Sequence, residues 1–106
     1  MPHVIAEIHI SVIGTQSTSV SQYVAEAERV LNQFSELHHE IHPMGTTIEG
    51  ELDVVLKDVN AMHEAPFGIG AQRVSTSLRI DDRRDGKRAS MSAKVQSVKD
   101  KLASNN

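Results

Sequence analysis

His38, Glu40 and His42 stand at alternate positions, so an extended strand would carry all three on one face. Neutral imidazoles and a carboxylate suit zinc or another divalent ion. Same-face neighbours on a strand are about 7 Å apart, however, so the three cannot converge on one ion without outside help. A solvated edge strand is the plainer reading, and no metal is expected. His63-Glu64 opens like a zinc-protease helix motif, but position 67 is Phe rather than His. Gly68-Ile69-Gly70 lacks the third glycine of a dinucleotide loop and precedes a strand rather than a helix. Gly14-Thr15-Gln16-Ser17 is no nucleophile elbow, and no serine has a base evident beside it. No recognisable catalytic machinery is left, so a non-enzyme is expected.

The rest of the composition narrows the chemistry further. The chain has 106 residues and no cysteine, which rules out disulfides, thiolate nucleophiles and cysteine-bound metal. That length fits one domain, residues 1–106. Aromatics make up only 3%, too few for a base-stacking platform. No apolar run reaches the roughly 20 residues of a membrane span. Met1-Pro2-His3-Val4 has no basic-then-apolar leader pattern, so a cytoplasmic location is expected.

Charge is divided along the chain. Residues 1–72 carry a net -8, residues 73–106 a net +5, and the whole a net -3. A basic tail can bind nucleic acid, but here acids interleave with the bases. The basic end is better matched to the acidic part of its own or a neighbouring subunit; neither nucleic acid nor membrane is expected as a partner.

These residues must be held by elements, and periodicity predicts them. Val4, Ala6, Ile8, Ile10 and Val12 alternate with Ile5, Glu7, His9 and Ser11, a first strand. Ser19 precedes Gln22 by three residues, a capping-box spacing. Val20, Tyr23, Val24, Ala27, Val30, Leu31 and Phe34 then predict an amphipathic helix over 20–34. Residues 37–42 predict a second strand, Met44-Gly45 a turn, and residues 46–51 a third strand with Ile48 facing in. Residues 52–67 predict a second helix, bent or stopped by Pro66, which lacks an N–H. Residues 73–80 alternate as a fourth strand, Asp81 to Ala89 is a charged loop, and Met91 to Leu102 is a terminal helix. The last residues, Ser104-Asn105-Asn106, should fray.

The order β-α-β-β-α-β defines an α+β, ferredoxin-like sandwich with an extra C-terminal helix. The first and third strands are expected to be central and parallel, with both helices on one sheet face. The other face would then hold Glu7, His9, Ser11, Thr47, Glu49, the His38–Glu40–His42 ladder and the polar side of the fourth strand. Such an ionisable face needs water, a ligand or another subunit.

Three separated blocks carry a resemblance: Ile13-Gly14-Thr15, Met44-Gly45-Thr46-Thr47-Ile48-Glu49-Gly50 and Ile80-Asp81-Asp82-Arg83-Arg84-Asp85. Together with Ser17 to Ser21 and His63-Glu64, they make the chain resemble the small thiamine-binding proteins of ferredoxin-like fold, from about Ile5 to Lys101. The resemblance implies a homo-oligomer, usually a tetramer, that binds thiamine or its hydroxymethylpyrimidine part without catalysis and without a cofactor. Pro66 departs from the family by falling where its helix continues, and the Arg84-Asp85-Gly86-Lys87 loop is slightly longer.

Chemistry and resemblance meet at one group of residues. Gly14 and Gly45 permit tight turns or close backbone approach. Ser11, Thr15, Thr46 and Thr47 offer short donors and acceptors, and Glu49 a carboxylate near the middle of the open face. An aminopyrimidine, with ring nitrogens and an amine, suits such a mixed set. These seven are the expected ligand residues, with Glu49 the foremost. Asp81, Asp82, Arg83 and Arg84 read as a subunit-interface ion-pair network. The alternatives are an oligomeric interaction protein without a small ligand, and a metal-dependent enzyme using His38, Glu40 and His42.

Overall fold

The computed structural model describes residues 2–17, 20–86 and 90–104. The capping role expected of Ser19 and the fraying of Asn105-Asn106 lie outside the described residues. Four strands and two helices build the frame: β1 (His3–Val12), α1 (Ser21–Leu31), β2 (His38–His42), β3 (Gly45–Glu51), α2 (Leu52–Glu64) and β4 (Val74–Asp82). A third helix, α3 (Met91–Ser104), follows β4.

The sheet order is β2-β3-β1-β4, and every neighbouring pair is antiparallel. β1 and β3 are central as expected, but antiparallel rather than parallel. The physical reason is the β2–β3 hairpin. The helical crossover returns β2 parallel to β1 one strand away, and the Pro43-Met44 turn then reverses the chain into the vacant slot.

Strand parity sorts the side chains as the alternation predicts. Val4, Ala6, Ile8, Ile10 and Ile48 are buried on the helix-covered face against Ala27 and Leu31 of α1 and Val55 and Met62 of α2. Pairing of Glu7 with Thr47 and of Ile5 with Glu49 puts those four on the opposite face. There α3 is anchored at its start, where Met91 buries itself against Ile5.

Element ends differ from the predicted ones for local reasons. The α1 ladder ends at Leu31, and the chain continues in short turns, Gln33 N–H to Val30 O and Phe34 N–H to Leu31 O. Phe34 still packs on the core although it is no longer helical. α2 gives way at Ala65–Ile69 to a 3₁₀ turn with Pro66 near its start. A proline has no N–H to continue the α ladder, and the tighter turn tolerates it there. β4 runs on to Asp82, two residues into the predicted loop, because Val4 and Ile5 of β1 still pair with Asp82 and Asp81.

Candidate functional site

A cavity of about 220 Å³ opens at one end of the molecule, between α1 and the β2–β3 hairpin. Ile8 and Ile10 of β1, Val24 and Ala27 of α1, and Met62 of α2 make it apolar. Gly45 and Thr46 of β3 and Glu28 of α1 bring the polar groups, with His9 and His42 at its side.

Gly45 is there because nothing larger fits. A Cβ at this position would lie 2.8 Å from the backbone oxygen of Ile8. Thr46 shares the parity of Ile48 and therefore faces the helices, 4% exposed. Its hydroxyl donates to Glu28 Oε1 at 2.6 Å. Glu28 Oε2 is buried and has no hydrogen-bond partner among the described residues.

A second acid is buried in the same apolar layer. Asp58 is fully buried on the apolar face of α2, in line with Val55 and Met62. Neither of its carboxylate oxygens has a hydrogen-bond partner among the described residues. Burial pushes its pKa up to about 7, and the charge of Glu28 adds to the rise. Only Glu28 lines the cavity, where its free oxygen is an acceptor for an N–H donor or a positive charge; Asp58 is outside the lining.

The seven residues expected to bind ligand do not converge. Gly45 and Thr46 line the cavity. Thr47 faces the opposite side of the sheet, its hydroxyl 3.1 Å from His42 Nε2, and lines a groove of about 470 Å³ with His38, Glu40 and α3. Glu49, on that same side, accepts the Met91 N–H at 2.5 Å and lies 3.5 Å from His3 Nε2. Ser11 pairs with Ser75 on β4. Gly14, with φ +82°, turns the chain out of β1, and the Thr15 hydroxyl donates to the Ser17 carbonyl at 2.5 Å. Neither of these two lines the cavity. Adjacent strand residues point to opposite faces, so Thr46 and Thr47 cannot serve one site.

Sequence reasoning missed Glu28 and Asp58. Asp58 had a signal: it stands three residues after Val55 and four before Met62, a core position where an unpaired acid is rare. Glu28, four residues after Val24, had the same signal in weaker form.

The acids at the end of β4 and just after it are paired within the chain. Arg84 pairs with Asp82, Arg83 with Asp85 and Lys94 with Asp81, each at 2.7 Å. The Arg84 hydrogen bond holds the Asp82 carboxyl below its ordinary range. The network expected between subunits is thus paired inside one copy. The His38–Glu40–His42 ladder shares one face, and no group of three or more His, Asp or Glu among the described residues is placed to hold a metal ion.

The pocket is apolar with one acid, Glu28, and is set between a helix and a ferredoxin-like sheet, a form that small-molecule sites commonly take. Comparison with known proteins makes the class specific: residues 6–99 match the family model described as thiamine-binding protein, and the chain belongs to that family. UPF0045 protein YqgV of Bacillus subtilis is 43% identical over 97 residues, covering 89% of this chain and 92% of the relative. A UPF0045 protein of Methanothermobacter thermautotrophicus is 46% identical over 98 residues, covering 92% and 97%. The crystal structure of hypothetical protein MJ1052 from Methanocaldococcus jannaschii superposes with a TM-score of 0.84 at 36% identity, covering 92% of this chain and 97% of that one.

Proposed function

We propose that the protein binds thiamine or its hydroxymethylpyrimidine moiety, without catalysis, in the cavity between α1 and the β2–β3 hairpin. The observation that carries this reading is Glu28. One of its oxygens is fixed by Thr46, and the other is buried at the cavity without a partner. The ring amine of an aminopyrimidine is the donor such an oxygen needs. A volume of about 220 Å³ is small beside the roughly 300–1,000 Å³ of drug-sized sites, so one ring fits inside and the thiazolium stays at the mouth. Family membership supports the ligand class.

Of the residues read from sequence, Gly45 and Thr46 take part in this reading. The same reading has the protein working in the cytoplasm as a homo-oligomer, a tetramer by resemblance, with no cofactor. Support for assembly comes from α3, whose Val95, Val98 and Leu102 are all exposed. No described helix is long and apolar enough to cross a membrane.

Calorimetry with thiamine and with hydroxymethylpyrimidine tests the proposal. Binding is expected for both, and Glu28→Gln should weaken it about 10- to 150-fold, the worth of one charge-assisted hydrogen bond of about 1.5–3 kcal/mol. Absence of binding by the wild-type protein at millimolar ligand would leave the interaction-protein reading in its place.

A further inference from the structure

α3 lies over the polar face of the sheet but rests on it only at its start. Met91, Val95 and Lys99 recur four residues apart on one side of α3, and all three line the groove beneath it. Met91 is 8% exposed, whereas Val95, one turn on, is 54% exposed. The helix therefore stands off the sheet after its first turn. Ile5 gives the groove an apolar floor, and His38 and Glu40 of β2 with Thr47 of β3 give it a polar wall. At about 470 Å³ against about 220 Å³, the groove is roomier than the α1 cavity and within the roughly 300–1,000 Å³ of small-molecule sites.

Most of the charge around the groove is already matched. Lys94 pairs with Asp81 at 2.7 Å, and the Gln96 amide donates to Asp100 at 2.8 Å. Two groups are left over. Glu40 on the sheet and Lys99 on α3 make no hydrogen bond or ion pair with a described residue, although both line the same groove. They stand too far apart to pair with each other, with apolar surface between them.

We infer that this groove is a second ligand site, for a phosphate ester of a nitrogen heterocycle that also carries a ring amine or a ring cation. Lys99 would meet the phosphate, with the Ser92 hydroxyl on the same wall as a further donor, and Glu40 would meet the amine or cation. The ring would lie against Ile5, Met91 and Val95. A ligand with both charges satisfies both side chains at once. A bare anion leaves Glu40 facing it, and a cation without phosphate leaves Lys99 facing it, so the groove discriminates against each. It lies on the opposite sheet face from the Glu28 cavity and does not depend on the reading of that cavity.

The test is hydrogen exchange on the full chain, with thiamine monophosphate, thiamine and inorganic phosphate as probes. Thiamine monophosphate should slow exchange across residues 91–104, because it ties the later turns of α3 to β2. Thiamine and inorganic phosphate should leave those residues unchanged. The concentration of thiamine monophosphate that half-protects them should rise about 10-fold in Lys99→Gln and in Glu40→Gln, the loss of one charge-assisted hydrogen bond. Both side chains are exposed and neither lines the α1 cavity, so both variants should fold and keep thiamine affinity. No protection by thiamine monophosphate, or unchanged half-protection in the two variants, would overturn the inference. Equal protection by inorganic phosphate would mean an adventitious ion only, and equal protection by thiamine would remove the phosphate from recognition; either result overturns it. Exchange of α3 that is slow without ligand and quickens on dilution would give the groove to a second copy and overturn it as well. Protection of α3 by thiamine monophosphate in a protein that fails to bind thiamine would overturn the reading of the α1 cavity and leave this inference standing.

Discussion

Asp58 has a consequence for stability that does not depend on any ligand. Its folded carboxyl is raised from 3.8 to about 7, so between those values the native chain binds a proton that the unfolded chain has lost. Stability contributed by that proton is fully present below about pH 4 and is lost as pH rises through 7. The loss amounts to up to about 4 kcal/mol. Asp58→Asn should therefore unfold at higher urea than wild type at pH 8 and show a flatter pH dependence between 5 and 8. Equal midpoints for the two proteins at pH 8 would contradict the burial argument. Gly45 makes a different prediction. A Cβ there meets the backbone oxygen of Ile8 at 2.8 Å, and backbone cannot swing aside as a side chain can. Gly45→Ala should cost about 1–3 kcal/mol in chemical denaturation and distort the cavity wall.

Among the elements, α3 is the one held by fewest contacts. Only Met91 is buried, and the first-turn N–H of that residue is accepted by Glu49 from β3. A carboxylate at a helix N-terminus satisfies an orphan donor and complements the helix dipole. The Lys94–Asp81 pair adds a second, exposed tether. Glu49→Gln should cost about 0.5–1 kcal/mol and speed hydrogen exchange across residues 91–104, while α1 and α2 stay protected. Because Glu49 faces away from the α1 cavity, the same variant should leave thiamine affinity unchanged. A large loss of affinity would move the ligand to the α3 side of the sheet, where sequence reasoning first placed it. The β2–β3 hairpin acts at this scale too: reversing the chain there puts β3 beside β1 and brings Thr46 to within reach of Glu28.

The whole molecule is flat, about 50 × 35 × 19 Å, with a radius of gyration of 15.8 Å. A compact chain of this length would have about 13 Å. The excess comes with a helix that leaves Val95, Val98 and Leu102 at 54%, 58% and 64% exposure, and an edge strand with Leu78 and Ile80 partly bare. An apolar stripe and a free sheet edge are surfaces that a second copy can cover, and closed symmetric assembly is the usual solution. The proposed homo-oligomer should give light scattering at micromolar concentration well above 11.6 kDa per particle. The double variant Val98→Glu with Leu102→Glu should shift it toward the monomer without unfolding the sheet. A wild-type monomer at that concentration would rule the assembly out.

Sequence periodicity by itself determined the order of elements, the inward set Val4, Ala6, Ile8, Ile10 and Ile48, and the polarity of the opposite sheet face. Each of these follows from side-chain direction within one strand or helix, which neighbours along the chain dictate. Three sequence blocks were enough to indicate the family, which the match over residues 6–99 then showed. Strand direction was not legible in this way, because it depends on how a hairpin and a crossover fit together across the sheet. Nor was the site. Ser11, Thr15, Thr47 and Glu49 looked like one cluster because they are close in sequence or share a polar character. Tertiary structure separated Thr47 and Glu49 from Thr46 by the thickness of the sheet, and it gave Glu49 to the start of α3. It also joined Glu28 and Asp58, thirty residues apart, inside one apolar layer. The chemistry of Asp58 comes from burial and from the charge of Glu28, and both exist only once two helices have packed on the sheet.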